Sequence, residues 1–334
     1  MIPLRRCGSH ALRLRLNFNQ AFYSPYPLHV CDIMHLLPRY GDLSDDRNYF
    51  KLIIDLIGLQ NASMVKWKGI ALDPVVVFDA IKDHARSIHA IMWEMLLQAG
   101  EQNNAKVVMD KSLDSVVYAE EMFTLQPELL LLNVVRDPRA QVGSMNGAIL
   151  YDFDTLGNTQ RWVKAHNCAR RLLTKYPERV LTIRFEDFIL NQEAVLHTVC
   201  NFLGIKFSPS MLAIGNSMEA RDISKLSALW QTNIFNPIAG NIDKFKKNLS
   251  LRDIELIETL TTEQMDFYGY DKMTPAKSII TDADLKASSL RSEKNRKLAW
   301  QQLEQENYRD YLLRKFRHDY IHNIETRLMA DESP

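Results

Sequence analysis

The stretch from Leu129 to Ser144 constrains the fold more than any other part of the chain. It opens on four leucines, Leu129 to Leu132, and runs on through Asn133, Val134 and Val135, which reads as a strand buried on both faces. Arg136 and Asp137 end it in charge. Pro138 then stands where a helix would take its first turn, a position that suits its fixed φ and missing N–H. A strand that delivers the chain to a helix start is a place to hold an anion, because unpaired N–H groups and the helix dipole point at it. Arg136 adds a bidentate donor at the strand end, and Ser144, eight residues on, adds a hydroxyl from the helix.

The same alternation recurs along the chain. Ala105 to Lys111 reads as a short buried strand ending in charge, and Arg179 to Phe185 as a third strand. Apolar residues at three- and four-residue spacing predict helices over 48–60, 74–98 (one or two), 112–123, 158–175, 191–203 and 249–268, with Gly204 as a C-cap. Alternating strands and helices imply an α/β fold, a three-layer arrangement in which helices flank a parallel sheet. After Pro275 the composition becomes highly charged, with Trp300, Leu303, Tyr308, Leu312, Phe316 and Ile324 spaced as on an amphipathic helix over 284–328. This divides the chain into a main domain, 1–275, and a helical extension, 276–334, expected to pack on that domain or on a partner such as a second copy in a homodimer.

At 334 residues and 46% apolar, the chain can bury a sizeable core. Its 41 basic and 41 acidic residues give no global field that would draw nucleic acid, so local charge must carry any anion chemistry. No apolar run approaches the ~20 residues of a membrane helix, so no membrane partner is expected. Cys7, Cys31, Cys168 and Cys200 form no CxxC pair, which points away from a zinc ribbon and towards a reducing, cytoplasmic setting. Cys168 and Cys200 read as small core residues. Arg5, Arg6, Arg13 and Arg15 precede the first acid, Asp32, so the start of the chain reads either as a transit peptide or as a phosphate-binding loop. No metal site is expected. His318 and His322 share a helix face, but with Asp319 where a zinc peptidase has Glu, and His84 and His89 are five apart.

The Arg136–Ser144 segment resembles the 3′-phosphate segment of PAPS-dependent sulfotransferases, and other segments follow in that family's order. Arg6, Cys7, Gly8, Ser9, His10 and Ala11 resemble its 5′-phosphosulfate loop, with Cys7 where the family usually has Ser. Asp110-Lys111-Ser112 resembles its Lys-Ser/Thr segment, and Arg184-Phe185-Glu186-Asp187-Phe188 the end of a later strand. Phe202-Leu203-Gly204 resembles a helix end of the family. Residues 238–250, with Phe245, Lys246 and Lys247, resemble the loop that closes on the nucleotide. Leu12 to Leu16 alternate with the period of a strand, whereas the resemblance implies a helix there.

The resemblance implies a P-loop-like fold and transfer of a sulfuryl group from PAPS to a hydroxyl or amine of a small metabolite, such as a secondary metabolite, releasing PAP without a metal. Arg6 and Lys111 would stabilise the leaving phosphate oxygen, and the Gly8 loop, Arg136, Ser144, Lys246 and Lys247 would hold the nucleotide. Asp32 is the first candidate for the base that removes the acceptor proton, with His29 and His35 as rivals. Residues 33–98 are expected to form much of the acceptor pocket. Arg184, Glu186 and Asp187 are expected to form an ion pair and a turn. Two other classes stay open: an inactive PAP-binding or scaffold protein, and a small-molecule kinase, against which the missing Gly-Lys-Ser/Thr ending argues.

Overall fold

The computed structural model describes residues 1–236 and 238–331. Its elements in chain order begin with α1 (Ser9–Leu16), β1 (Phe22–Tyr23), α2 (Asp46–Asn61), α3 (Pro74–Ile81), α4 (Ile88–Gln102) and β2 (Val107–Val108). There follow α5 (Ala119–Leu125), β3 (Leu131–Val135), α6 (Pro138–Asn146), α7 (Thr155–Lys175), β4 (Val180–Arg184), α8 (Phe185–Leu190) and α9 (Gln192–Phe202). The chain closes with α10 (Met218–Ser224), α11 (Phe245–Asn248), α12 (Leu251–Tyr268), α13 (Asp282–Glu306) and α14 (Tyr308–Asp331).

The fold is α/β, with two two-stranded parallel ladders among the described residues, β1–β2 and β3–β4. The start of the chain joins them. Ile2 makes a parallel bridge to Asn133 on β3, and the Met1 ammonium donates to the Asp110 carbonyl just beyond β2 (2.8 Å). Every residue of β3 is buried, and fully burying a Leu or Val contributes about 1.5–3 kcal/mol. Asn133, the one polar residue of that strand, donates from Nδ2 to the Thr182 hydroxyl of β4 (3.0 Å).

Helix starts follow the capping residues. Asp137 accepts from the Arg139 N–H ahead of Pro138, and Asp73 does the same for α3 ahead of Pro74. Ser87 caps α4, so residues 74–98 hold two helices. Leu12–Leu16 lie in the helix α1, as the resemblance implies and against their period-2 alternation. Its leucines alternate because all five residues are buried, which erases the polar stripe that marks a surface helix. The extension likewise splits in two, at Asn307 between α13 and α14. It packs on the rest of the chain. Ile324 and Leu328 join the core around α2 and α4, and Arg327 pairs with buried Asp55. Tyr308, Leu312 and Phe316 stay exposed.

Candidate functional site

Residues 4–8 form a loop pinned from several directions. Gln141 on α6 donates from Nε2 to the carbonyls of Arg5 (2.9 Å) and Leu4 (3.3 Å), and is itself held by the Trp162 indole N–H (2.9 Å). Arg136 donates from Nη1 to the Arg6 carbonyl (3.0 Å). Gly8 ends the loop at φ 89°, a left-handed conformation that glycine adopts freely. A Cβ there would stand 2.2 Å from the Phe185 ring, so the loop needs glycine on both counts. Gly8 is the N-cap of α1 and brings no side-chain acceptor, and the first turn of α1 holds no acid. The leading N–H groups and the positive end of the helix dipole are therefore left for an outside anion.

Three side chains from distant parts of the sequence meet at this loop. Arg6 reaches from Nε to the Ser144 hydroxyl on α6 (3.1 Å), while Arg136 lies over the Phe185 ring (4.8 Å). Burial, opposed by Glu186, pulls the Arg136 guanidinium below its usual range; burial and then the Arg136 charge do the same to Arg6. The Nε of Arg136 is buried without a hydrogen-bond partner. Lys111 follows β2 on the same side. Its side chain is buried, its ammonium has no hydrogen-bond or ion-pair partner among the described residues, and burial, then Arg13, lowers it to about 7. Cations gathered in low dielectric with so few counter-charges are poised for an anion.

A cavity of about 310 Å³ opens beside them. Arg6, Ser9, His10 and Lys111 line one side of it, and His29 and Asp32 lie in its wall. Asp32 is held by Arg317 of α14 (3.0 Å) and faces Arg5 (3.7 Å). Burial, with Arg5 and Lys111 nearby, keeps the His29 imidazole well below the usual histidine range and so neutral. His10 is lowered in the same way and stacks on Tyr26 (ring centroids 5.7 Å apart).

Other expected positions fall elsewhere. His35 is exposed and does not line the cavity, because the turn at 34–40 carries its side chain outward while Leu36 and Tyr40 face the core. Lys246 and Lys247 are exposed on α11, with Lys246 paired to Asp243 (2.8 Å); Phe245 anchors that helix under Arg139, and neither lysine reaches the cavity. Cys7 is fully buried beneath the loop, where burial raises its thiol pKa, and Ala11 packs against the same core, so these two shape the loop from below. From residues 33–98 only Ser63 and Met64 line the cavity. Much of its wall comes from the extension, through Trp300, Arg314, Arg317, His318 and Ile321. Their sequence gives no sign of this, because a charged helix face has the pattern of a solvated one.

Glu186 proves structural, as expected, but through different partners. It accepts from the Asp137 N–H (3.0 Å) and the Tyr270 hydroxyl (2.7 Å), and Arg184 lies over the Tyr270 ring (4.5 Å). Among the described residues no cluster of His, Cys, Asp or Glu could hold a metal, and no helix is long and apolar enough to cross a membrane.

Comparison with known proteins adds to this geometry. Over 161 residues, 42% of this chain and 38% of the relative, the chain is 29% identical to protein-tyrosine sulfotransferase 2 of Gallus gallus; it therefore spans well under half of that protein. In fold it is similar to the sulfotransferase domain from the curacin biosynthetic pathway, with a TM-score of 0.52, 18% identity, and coverage of 81% of this chain and 96% of that domain. The sulfotransferase domain of the Synechococcus PCC 7002 olefin synthase gives a TM-score of 0.47 at 21% identity, over 81% of this chain and 93% of that domain. The profile of the sulfotransferase family matches residues 2–209, which take in the Gly8 loop, Lys111, Arg136 and Ser144, and by that match over more than half its length this chain belongs to the sulfotransferase family.

Proposed function

We propose that the chain transfers a sulfuryl group from PAPS to a hydroxyl or amine of a small-molecule acceptor, a metabolite of the cell interior, and releases PAP. The observation that carries this reading is the set of under-paired cations, half-buried Arg6 and Arg136 and buried Lys111, around the uncapped start of α1. The residues suit the donor. Arg136 has an unpartnered buried Nε, Ser144 offers a hydroxyl, and no carboxylate competes in the first turn of α1. Arg136 and Ser144 would hold the 3′-phosphate. The Ser9 end of α1, together with Arg6, would hold the 5′-phosphate.

When bound, PAPS supplies the sulfuryl group and a phosphate leaving group. The chain itself positions the groups and offsets negative charge as it spreads. Lys111, from the end of β2, places an ammonium beside the loop, and an anion there would favour its charged form. His29 and Asp32 both face the cavity. Two guanidiniums occupy the Asp32 carboxylate, whereas the His29 imidazole lines the cavity with no ion-pair partner among the described residues and can accept the acceptor's proton. We therefore assign proton removal to His29 and give Asp32 the role of fixing Arg317 and Arg5.

The test is single-turnover transfer from ³⁵S-labelled PAPS to a panel of phenols, alcohols and amines, by wild type, His29→Asn and Asp32→Asn. Transfer by wild type that falls about 100-fold or more in His29→Asn is the expected result. PAP binding without transfer to any acceptor would leave a binding protein in place of an enzyme. Transfer from ATP in place of PAPS would make the chain a kinase.

A further inference from the structure

We infer that the acceptor carries a negative charge of its own and that Arg314 and Arg317 of α14 select it, an inference that rests on the sulfotransfer reading above. The cavity is more cationic than sulfuryl transfer alone requires. Besides Arg6 and Lys111, its wall holds Arg5, Arg314 and Arg317; Asp32 is the one carboxylate among its lining residues, and Asp114 and Asp310 pair with Arg5 and Arg314 from outside the lining, so the cations still outnumber the carboxylates. Arg136 and Ser144 do not line it, so the 3′ end of the nucleotide lies outside and the α14 wall faces the acceptor.

Both arginines of α14 are held in place. Arg314 is buried. Its Nη2 donates to the Ser227 hydroxyl (3.2 Å) and its Nε lies 2.8 Å from Asp310, whose carboxylate accepts from the same Ser227 (2.6 Å). Arg317 donates from Nη2 to the Leu28 carbonyl (3.0 Å) and Asp32 (3.0 Å), and from Nη1 to the Leu59 carbonyl (3.2 Å). Two guanidiniums fixed this way lose little entropy when they bind a carboxylate. A neutral acceptor would seal them away from water with less than full compensation.

Tyr26 and Trp230 stand beside them, ring against ring (centroids 5.7 Å apart), with Met64, Ile149 and Ile321 as apolar neighbours. The cavity is at the small end of ligand sites, so one ring with a carboxylate fits where a long chain does not. The substrate class is therefore a small hydroxyl compound, aromatic in character, bearing a carboxylate. Arg314 and Arg317 lie beyond residues 209, where the family match ends, so this selectivity belongs to the extension.

The experiment is calorimetric titration of PAP-saturated protein with two matched pairs of probes: 4-hydroxybenzoate against 4-hydroxybenzamide, and 3-(4-hydroxyphenyl)propanoate against its amide. Wild type should bind the carboxylate of a pair about 10-fold or more tightly than the amide. Arg317→Gln and, separately, Arg314→Gln should bring the two towards parity while PAP affinity holds. If either variant fails to fold, the wild-type preference should still shrink as salt rises from 50 to 500 mM. Equal affinities within both pairs, or no binding of any probe, with PAP binding intact, would overturn the charged acceptor and leave sulfotransfer standing. Loss of PAP binding by wild type would remove both.

Discussion

Arg136 and Arg139 stand one turn apart at the start of α6, and their surroundings are opposite. Arg139 is fully matched, with Asp137 at 2.6 Å, Glu258 at 2.5 Å and the Phe245 ring under its guanidinium. Glu258 in turn accepts from the backbone of Met273 and Thr274, so this arginine ties α6 to α12 and to the chain beyond it. Arg136 has a backbone carbonyl, an aromatic ring and an unpartnered Nε. Arg139, with its charge matched, ties elements of the fold together; we read Arg136, half-buried with an unpartnered Nε, as left for an anion that the protein binds.

The largest effect should come from the matched arginine. Arg139→Ala strands Asp137 and Glu258 as buried carboxylates and should lower stability by about 3–5 kcal/mol in urea unfolding. A loss under 1 kcal/mol would break the contrast from its structural side. Arg136→Ala should leave stability within about 1 kcal/mol of wild type, because it removes a charge that the fold does not match, yet weaken PAP by about 10–100-fold.

Lys111 extends the comparison to pH. Its folded value of about 7 lies below the ordinary lysine value of 10.5, so between those limits the unfolded chain binds the extra proton. Stability therefore rises with pH through that window, and below pH 7 the penalty for burying the ammonium is fully present. Lys111→Met should flatten the rise and stabilise the protein at pH 7, at the expense of PAP affinity. In wild type at pH 8, PAP binding should take up a proton, seen as a dependence of the calorimetric heat on the buffer's ionisation enthalpy. A heat independent of buffer would show that Lys111 is not near the bound phosphates.

The smallest effect belongs to His166, which is unpaired at both ring nitrogens yet does not line the site cavity. Burial lowers it to about 3, so it stays neutral against Trp162 (centroids 3.8 Å apart). The unfolded chain protonates it below about 6.5, so stability falls as pH drops from there towards 3. His166→Phe should soften that acid slope and leave PAP binding untouched. A change in PAP affinity would show that an unpaired buried group marks the site whether or not it is charged.

The sequence made the first half of the site legible because its signals are local. Pro138 after a buried run, Gly8 in a basic loop and Lys111 at a strand end each announce their geometry within a few residues. The acceptor wall was not legible. Arg314 and Arg317 sit in a charged run whose spacing is that of a solvated helix, and only the fold carries Arg317 back onto Leu28, Asp32 and Leu59 and Arg314 onto Ser227. Nor did periodicity identify α1, since burial on every side removes the stripe that distinguishes a helix from a strand. The break at Asn307 lacks a Gly or Pro to signal it, and His35 and Lys246 carried the right chemistry at positions that the fold turns outward.

The most direct test is calorimetric titration of PAP into wild type, Arg136→Ala and Arg139→Lys, with ATP and ADP as controls and urea unfolding of each protein alongside. PAP should bind with an affinity that neither ATP nor ADP matches, weakened at least about 10-fold in a folded Arg136→Ala and kept in Arg139→Lys. Unchanged PAP affinity in Arg136→Ala, or no PAP binding by folded wild type, would contradict that expectation.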